Sequence, residues 1–113
     1  MPAKDSSPKH IGSQLAKYRR KRGLTQEDVG VRLDIGAEAV SRMERGLVEL
    51  TVSKLLQLAD IFDCPADELL LVLSTRPQDQ SQVLTTRLKA LKANDRQFAL
   101  TVLDQLTEHL ATR

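Results

Sequence analysis

The sequence predicts an all-α fold. Apolar residues recur three or four positions apart along most of the 113 residues. Ser, Thr, Asp and Gly punctuate these runs at helix-length intervals, as capping residues do. No stretch sustains the alternation of a half-buried strand. Apolar residues are 41% of the chain, enough for one modest core.

Each element follows in order. Residues 1–8 read as a flexible tail. Ser6 or Ser7 can cap a first helix with Pro8 near its first turn, and Ile11, Leu15 and Tyr18 recur at helical spacing up to Gly23. Thr25 restarts the chain as an N-cap, with Asp28 three residues on as in a capping box. Val29 and Leu33 give the inward face of this short second helix, which Asp34-Ile35-Gly36 breaks. A third helix fits Ala37–Arg45, with Val40 and Met43 inward and Gly46 as its stop.

After a loop over Leu47–Leu50, Thr51 caps a fourth helix carrying Val52, Leu55, Leu56, Ala59 and Phe62. Cys64-Pro65 starts a fifth, whose Leu69 and Leu70 close the core. Residues 9–73 thus form one domain. Polar residues 74–82, with Pro77, read as a linker or turn. Two further helices are expected over 83–113: the first about Val83–Ala93, the second capped by Asn94 or Asp95. The second carries Phe98, Val102, Leu106 and Leu110, each four apart.

Composition narrows the function. A single Cys rules out an intramolecular disulfide and a thiolate-rich zinc site. At 3% aromatics with no Trp, a platform for stacking single-stranded bases is not expected. No apolar run nears the roughly 18 residues of a membrane span. Met1 to His10 is polar, unlike a secretion signal, so a cytoplasmic protein is expected. His10 and His109 stand apart, outside any metal-ligand spacing, and no cofactor is expected. Nothing marks a nucleophile turn or an acid–base pair, so an enzyme is not expected. Cys64, at an apolar position, reads as an inert buried thiol.

Net charge is +2, but its distribution is uneven. Residues 1–46 carry ten Lys/Arg against six Asp/Glu, and residues 47–113 carry seven against nine. Lys17, Arg19, Arg20, Lys21 and Arg22 form the densest patch. Such a patch either binds phosphates or compensates a helix dipole.

Helices two and three, joined by a tight turn, follow the helix-turn-helix plan. With Val29, Leu33, Val40 and Met43 packed inward, Ala37, Glu38, Ser41 and Arg42 point outward. That face can enter a major groove about 12 Å wide.

Four segments resemble the Cro-and-repressor-like (XRE-type) helix-turn-helix regulators. They are Leu24-Thr25-Gln26-Glu27-Asp28-Val29, Val40-Ser41-Arg42-Met43-Glu44-Arg45-Gly46, Leu55-Leu56-Gln57-Leu58-Ala59-Asp60 and Asp67-Glu68-Leu69-Leu70. The resemblance covers residues 10–71. It implies a five-helix, lambda-repressor-like DNA-binding domain, here followed by a C-terminal helical hairpin. Residues 26–33 would position the domain and residues 37–45 would read bases.

Base reading would fall to Gly36, Ala37, Glu38, Ser41 and Arg42. Phosphate contacts would fall to Arg19, Lys21, Thr25 and Gln26. Arg19 and Glu44 would form a structural ion pair fixing helix three. For each role there is a plainer reading: Arg42 as a phosphate contact or solvated, Glu38 as a helix-start dipole partner, Gln26 as a cap. The chain departs from the pattern at Asp34, where the turn usually has Gly, and at Gly36, where a capping Ser is common. It departs also at Gly30, in place of Ala and weakening the helix by about 1 kcal/mol, and at Leu50, in place of Pro.

The expected function is a sequence-specific transcriptional regulator that binds double-stranded DNA, a homodimeric repressor on a palindromic operator. Phe98, Val102, Leu106 and Leu110 would form the dimer or partner interface. The alternative is an antitoxin whose C-terminal helices bind a protein partner, its toxin. A third reading is a helical adaptor that has lost DNA binding.

Overall fold

The computed structural model describes residues 8–113. The expected tail up to Ser7, with its Ser6 or Ser7 cap, lies outside the described residues. Among those described, every regular element is a helix: α1 Pro8–Lys21, α2 Gln26–Leu33, α3 Ala37–Glu44, α4 Val52–Ile61, α5 Ala66–Leu73, α6 Pro77–Lys89 and α7 Ala93–Ala111. The chain divides into two compact units, one up to Gln80 and one from Ser81.

In the first unit, α1 to α5 enclose one core. Leu15, Val29, Leu33, Val40, Met43, Leu58, Phe62, Leu69 and Leu73 are its buried side chains. Fully burying a side chain of this size is worth about 1.5–3 kcal/mol, so this cluster is the main driving force for folding. Tyr18 stacks on Phe62 with ring centroids 5.7 Å apart.

The punctuation between helices is local chemistry. Gly23 and Gly46 take positive φ after α1 and α3. Thr25 and Asp28 complete a reciprocal capping box at α2: Asp28 N–H donates to Thr25 Oγ1 (3.0 Å) and Thr25 N–H to Asp28 Oδ2 (2.9 Å). Asp34 ends α2 in the left-handed region, φ 62°, which Asp tolerates better than most residues. Thr51 Oγ1 caps α4 by accepting from Lys54 N–H.

Several expectations need correction. Val52 and Leu56 of α4 are 73% and 54% exposed, and Leu58 takes the buried position. Leu70 is likewise exposed, and Leu73 closes the core beside Leu69. The reason is phase: in an apolar-rich helix the buried stripe is set by the neighbours, not by counting apolar residues. Gly30 is more than a small residue. A Cβ there would stand 2.7 Å from Ile35 O, so the α2–α3 turn closes directly on the helix backbone.

Most of the 74–82 stretch is helical rather than linker. Pro77 supplies a pre-set φ for the first turn of α6. Ser74 Oγ accepts from Arg76 N–H and donates to Asp79 Oδ2.

In the second unit, α6 runs from the boundary to Lys89 and α7 forms the longest helix. α7 begins at Ala93, with Lys92 rather than Asn94 or Asp95 as its N-cap. Arg96 Nε donates to Leu88 O in the last turn of α6 and Arg96 Nη2 to Leu91 O in the turn that follows, both at 2.9 Å. Neither α6 nor α7 has a buried residue.

Candidate nucleic-acid interface

The candidate site is built on α3 and on the N-terminus of α2. Val40 and Met43 anchor α3 inward, 2% and 6% exposed. The opposite side of the helix presents Gly36, Ala37, Glu38 and Arg42 to solvent, with Ser41 half-buried beside them. The outer face therefore follows from the inner one, because helical periodicity separates them.

What aims this face is a polar network behind it. Arg19 Nε donates to Glu44 Oε2 at 2.7 Å and Arg19 Nη2 to Glu44 Oε1 at 3.1 Å. The two side chains are 11% and 9% exposed. Arg19 Nη1 also donates to Leu24 O at 2.9 Å, tying α1 to the turn before α2. The hydrogen bonds from Arg19 to Glu44 raise the guanidinium's pKa, so it stays charged. With three of its five N–H groups so engaged, Arg19 holds the frame and has little left for a phosphate.

Gln26 Nε2 joins the same carboxylate, donating to Glu44 Oε1 at 2.9 Å. Glu44 thus links α1, α2 and α3. Gln26 sits in the first turn of α2, where backbone N–H groups and the helix dipole favour anions. Thr25, beside it, has its hydroxyl oxygen and backbone N–H taken by the capping box. These bonds to Thr25 hold the Asp28 carboxyl below its usual range.

The basic patch of α1 is divided by the fold. Arg22 Nη2 donates to Asp63 O, on the turn between α4 and α5. Lys17 and Lys21 are exposed. Arg20 lines an open hollow of about 560 Å³ with Lys9, Ser13, Gln26, Ser41 and Arg45. Lys9, Ser13 and Arg45 are not among the residues singled out from the sequence. They come from separate turns of α1 and from the C-cap of α3, and only packing brings them together.

Across the outer face, Glu38 lies between two arginines. Its Oε2 is 3.3 Å from Arg45 Nη2 and 3.8 Å from Arg42 Nη1. All three side chains are well exposed, so each pair contributes at most about 1 kcal/mol and yields readily to a competing ligand. Cys64 is half-buried against the core rather than buried as expected, and that partial burial pushes the thiol's pKa up.

A Helix-turn-helix family model matches residues 15–69. Over this segment, just under half of the chain, the sequence is similar to that family. The motif's two helices are α2 and α3, and its tight turn is Asp34-Ile35-Gly36. A relative from Sinorhizobium fredii (strain NBRC 101917 / NGR234), named Uncharacterized HTH-type transcriptional regulator y4dJ, is 43% identical over 51 residues. The match spans 45% of this chain and 66% of the relative, just under two thirds of its length. No solved structure matches the chain.

Proposed function

We propose that the chain is a sequence-specific, DNA-binding transcriptional regulator of the cytoplasm, acting as a homodimeric repressor on a palindromic operator. The observation that carries this reading is the solvent-facing side of α3, held by the Arg19–Glu44–Gln26 network. Residues 9–73 form the DNA-binding part and residues 83–113 the association part. Gly36, Ala37, Glu38, Ser41 and Arg42 read base edges, with Arg42 suited to guanine O6 and N7. Gln26, Thr25 and Lys21 hold phosphates, and Arg19 acts through Glu44 rather than on DNA directly.

The mechanism follows from placement. The first turn of α2 docks on the backbone through its amides, and α3 enters the major groove. Two copies about 34 Å apart read the two half-sites. A dimer so placed over a promoter excludes polymerase. The C-terminal helices, with Phe98 71% exposed on α7, also support the antitoxin reading, in which they bind a toxin.

Selection of bound sequences from random duplex DNA tests the proposal. The expected result is an enriched palindrome. Binding without sequence enrichment, or no duplex binding at low salt, would overturn it.

A further inference from the structure

Beside the loop that follows α3, the first unit holds an open hollow of about 450 Å³. Cavities that take small organic molecules span about 300–1,000 Å³, so its size suits such a ligand. Its walls come from α1, α3, the loop, α4 and α5, chiefly Ile11, Met43, Val48, Leu50, Leu55 and Leu70. Among the described residues, no aromatic ring and no cation lines it, and its polar side chains are Glu49 and Ser74. Ser74 Oγ is already engaged, donating to Asp79 Oδ2 at 2.7 Å and accepting from Arg76 N–H at 3.0 Å. The Glu49 side chain is exposed and, among the described residues, makes no ion pair or hydrogen bond. Glu49 is thus the charged anchor left for a ligand.

A smaller hollow of about 190 Å³ shares Met43 and the loop residues Val48, Glu49 and Leu50 with the first. The loop therefore borders open space twice. Leu47 and Val48 are 61% and 39% exposed, so few contacts hold it in place. The smaller hollow also carries Arg42 and Lys54, which repel a cation.

We propose that the larger hollow binds a small apolar molecule carrying one amine, its ammonium paired with Glu49, and that this ligand controls the setting of α3. The aliphatic walls take the apolar body out of water. With no cation in the lining, a carboxylate or phosphate would lose its hydration without gaining a partner. The ligand meets Met43, the side chain that anchors α3 inward, and the loop through which the chain leaves α3. A body wedged against Met43 displaces α3 from the setting that the Arg19–Glu44–Gln26 network gives it. Ligand and DNA thus favour different settings of one helix, and each weakens the other's binding by the same factor. The site stands on the hollow alone; its control of α3 rests on the DNA-binding reading above.

The test uses phenylbutylamine on the full chain at neutral pH, with phenylbutanol and phenylbutyrate as its neutral and anionic counterparts. The chain has two methionines, Met1 and Met43, so isotope-labelled methionine methyls give two NMR signals. Met43→Leu, a volume-conserving change, shows which signal belongs to Met43. That signal is expected to shift with the amine, with a Kd of about 1 mM for a compound of this size. The alcohol binds about threefold more weakly, and the carboxylate more weakly still. Glu49→Gln removes the preference for the amine over the alcohol, and Glu49→Lys turns the preference to the carboxylate. Glu49 is exposed on a loop, so both variants keep the fold. Leu70→Trp, at a 54% exposed position that lines the larger hollow and not the smaller, blocks the shift. An unmoved Met43 signal, equal binding of the three compounds, or an amine preference that survives Glu49→Lys would overturn the site. On duplex DNA, saturating amine is expected to raise the chain's Kd about tenfold. A shifted Met43 signal with an unchanged Kd for DNA would overturn the control of α3 alone. A chain that takes the amine but binds no duplex would uphold the site and remove the DNA reading.

Discussion

The Arg19 guanidinium and the Glu44 carboxylate, 25 positions apart in the chain, meet edge to edge through two hydrogen bonds of 2.7 and 3.1 Å. A third bond to Glu44 comes from Gln26. One carboxylate therefore sets the spacing of the three helices that carry the candidate interface.

Removing that carboxylate is expected to be costly. Glu44→Ala leaves Arg19 nearly buried without its counter-charge and should destabilise the fold by about 2–4 kcal/mol. Urea unfolding measures it. A loss below about 1 kcal/mol would mean that the pair is no stronger than a surface contact.

Gly12 is where α1 crosses the end of α3. A Cβ there would stand 2.5 Å from both Met43 O and Glu44 O. Both are backbone atoms, so the helices must separate. Gly12→Ala should cost about 1–3 kcal/mol despite the better helix propensity of Ala, measured by thermal unfolding.

Asp34, at φ 62°, ranks substitutions by their tolerance of the left-handed region. Asp34→Gly should be neutral or stabilising by up to about 1 kcal/mol. Asp34→Val should cost about 1–2 kcal/mol. Equal stabilities for the two variants would contradict the turn geometry.

The capping box predicts an acid-labile contribution. Asp28 has its pKa lowered in the folded chain by the bond from Thr25 N–H. A depressed folded pKa stabilises above the unfolded value, about 3.9. That stability is lost as pH falls through the folded pKa. Comparing wild type with Asp28→Asn, the stability difference should be constant near neutrality and shrink below about pH 4.

On DNA, Arg42→Ala should lose about 1–3 kcal/mol and relax preference at one base pair, whereas Lys21→Ala should weaken all sequences alike and lower the salt slope by about one. Equal loss on every sequence for Arg42→Ala would reassign Arg42 to phosphate. Titrations at several salt concentrations separate the two.

Much of the fold was legible in the sequence because it is local. Thr25, Thr51, Gly23 and Gly46 mark helix ends through bonds or dihedrals confined to a few residues, and the four ordered motifs carry the helix-turn-helix resemblance. The α3 face was legible too, since Val40 and Met43 fix it by periodicity alone. Which apolar residues of α4 and α5 are buried was not legible: Val52, Leu56 and Leu70 satisfy the same pattern as Leu58 and Leu73, and only the neighbouring helices choose between them. Nor was the hollow of Lys9, Ser13 and Arg45, or the backbone contact at Gly12. By itself the sequence determined where helices start and stop and which way the short ones face, because capping and periodicity act within a turn or two. The tertiary structure alone decided which side chains meet across helices, because those meetings depend on how one rigid helix lies on another.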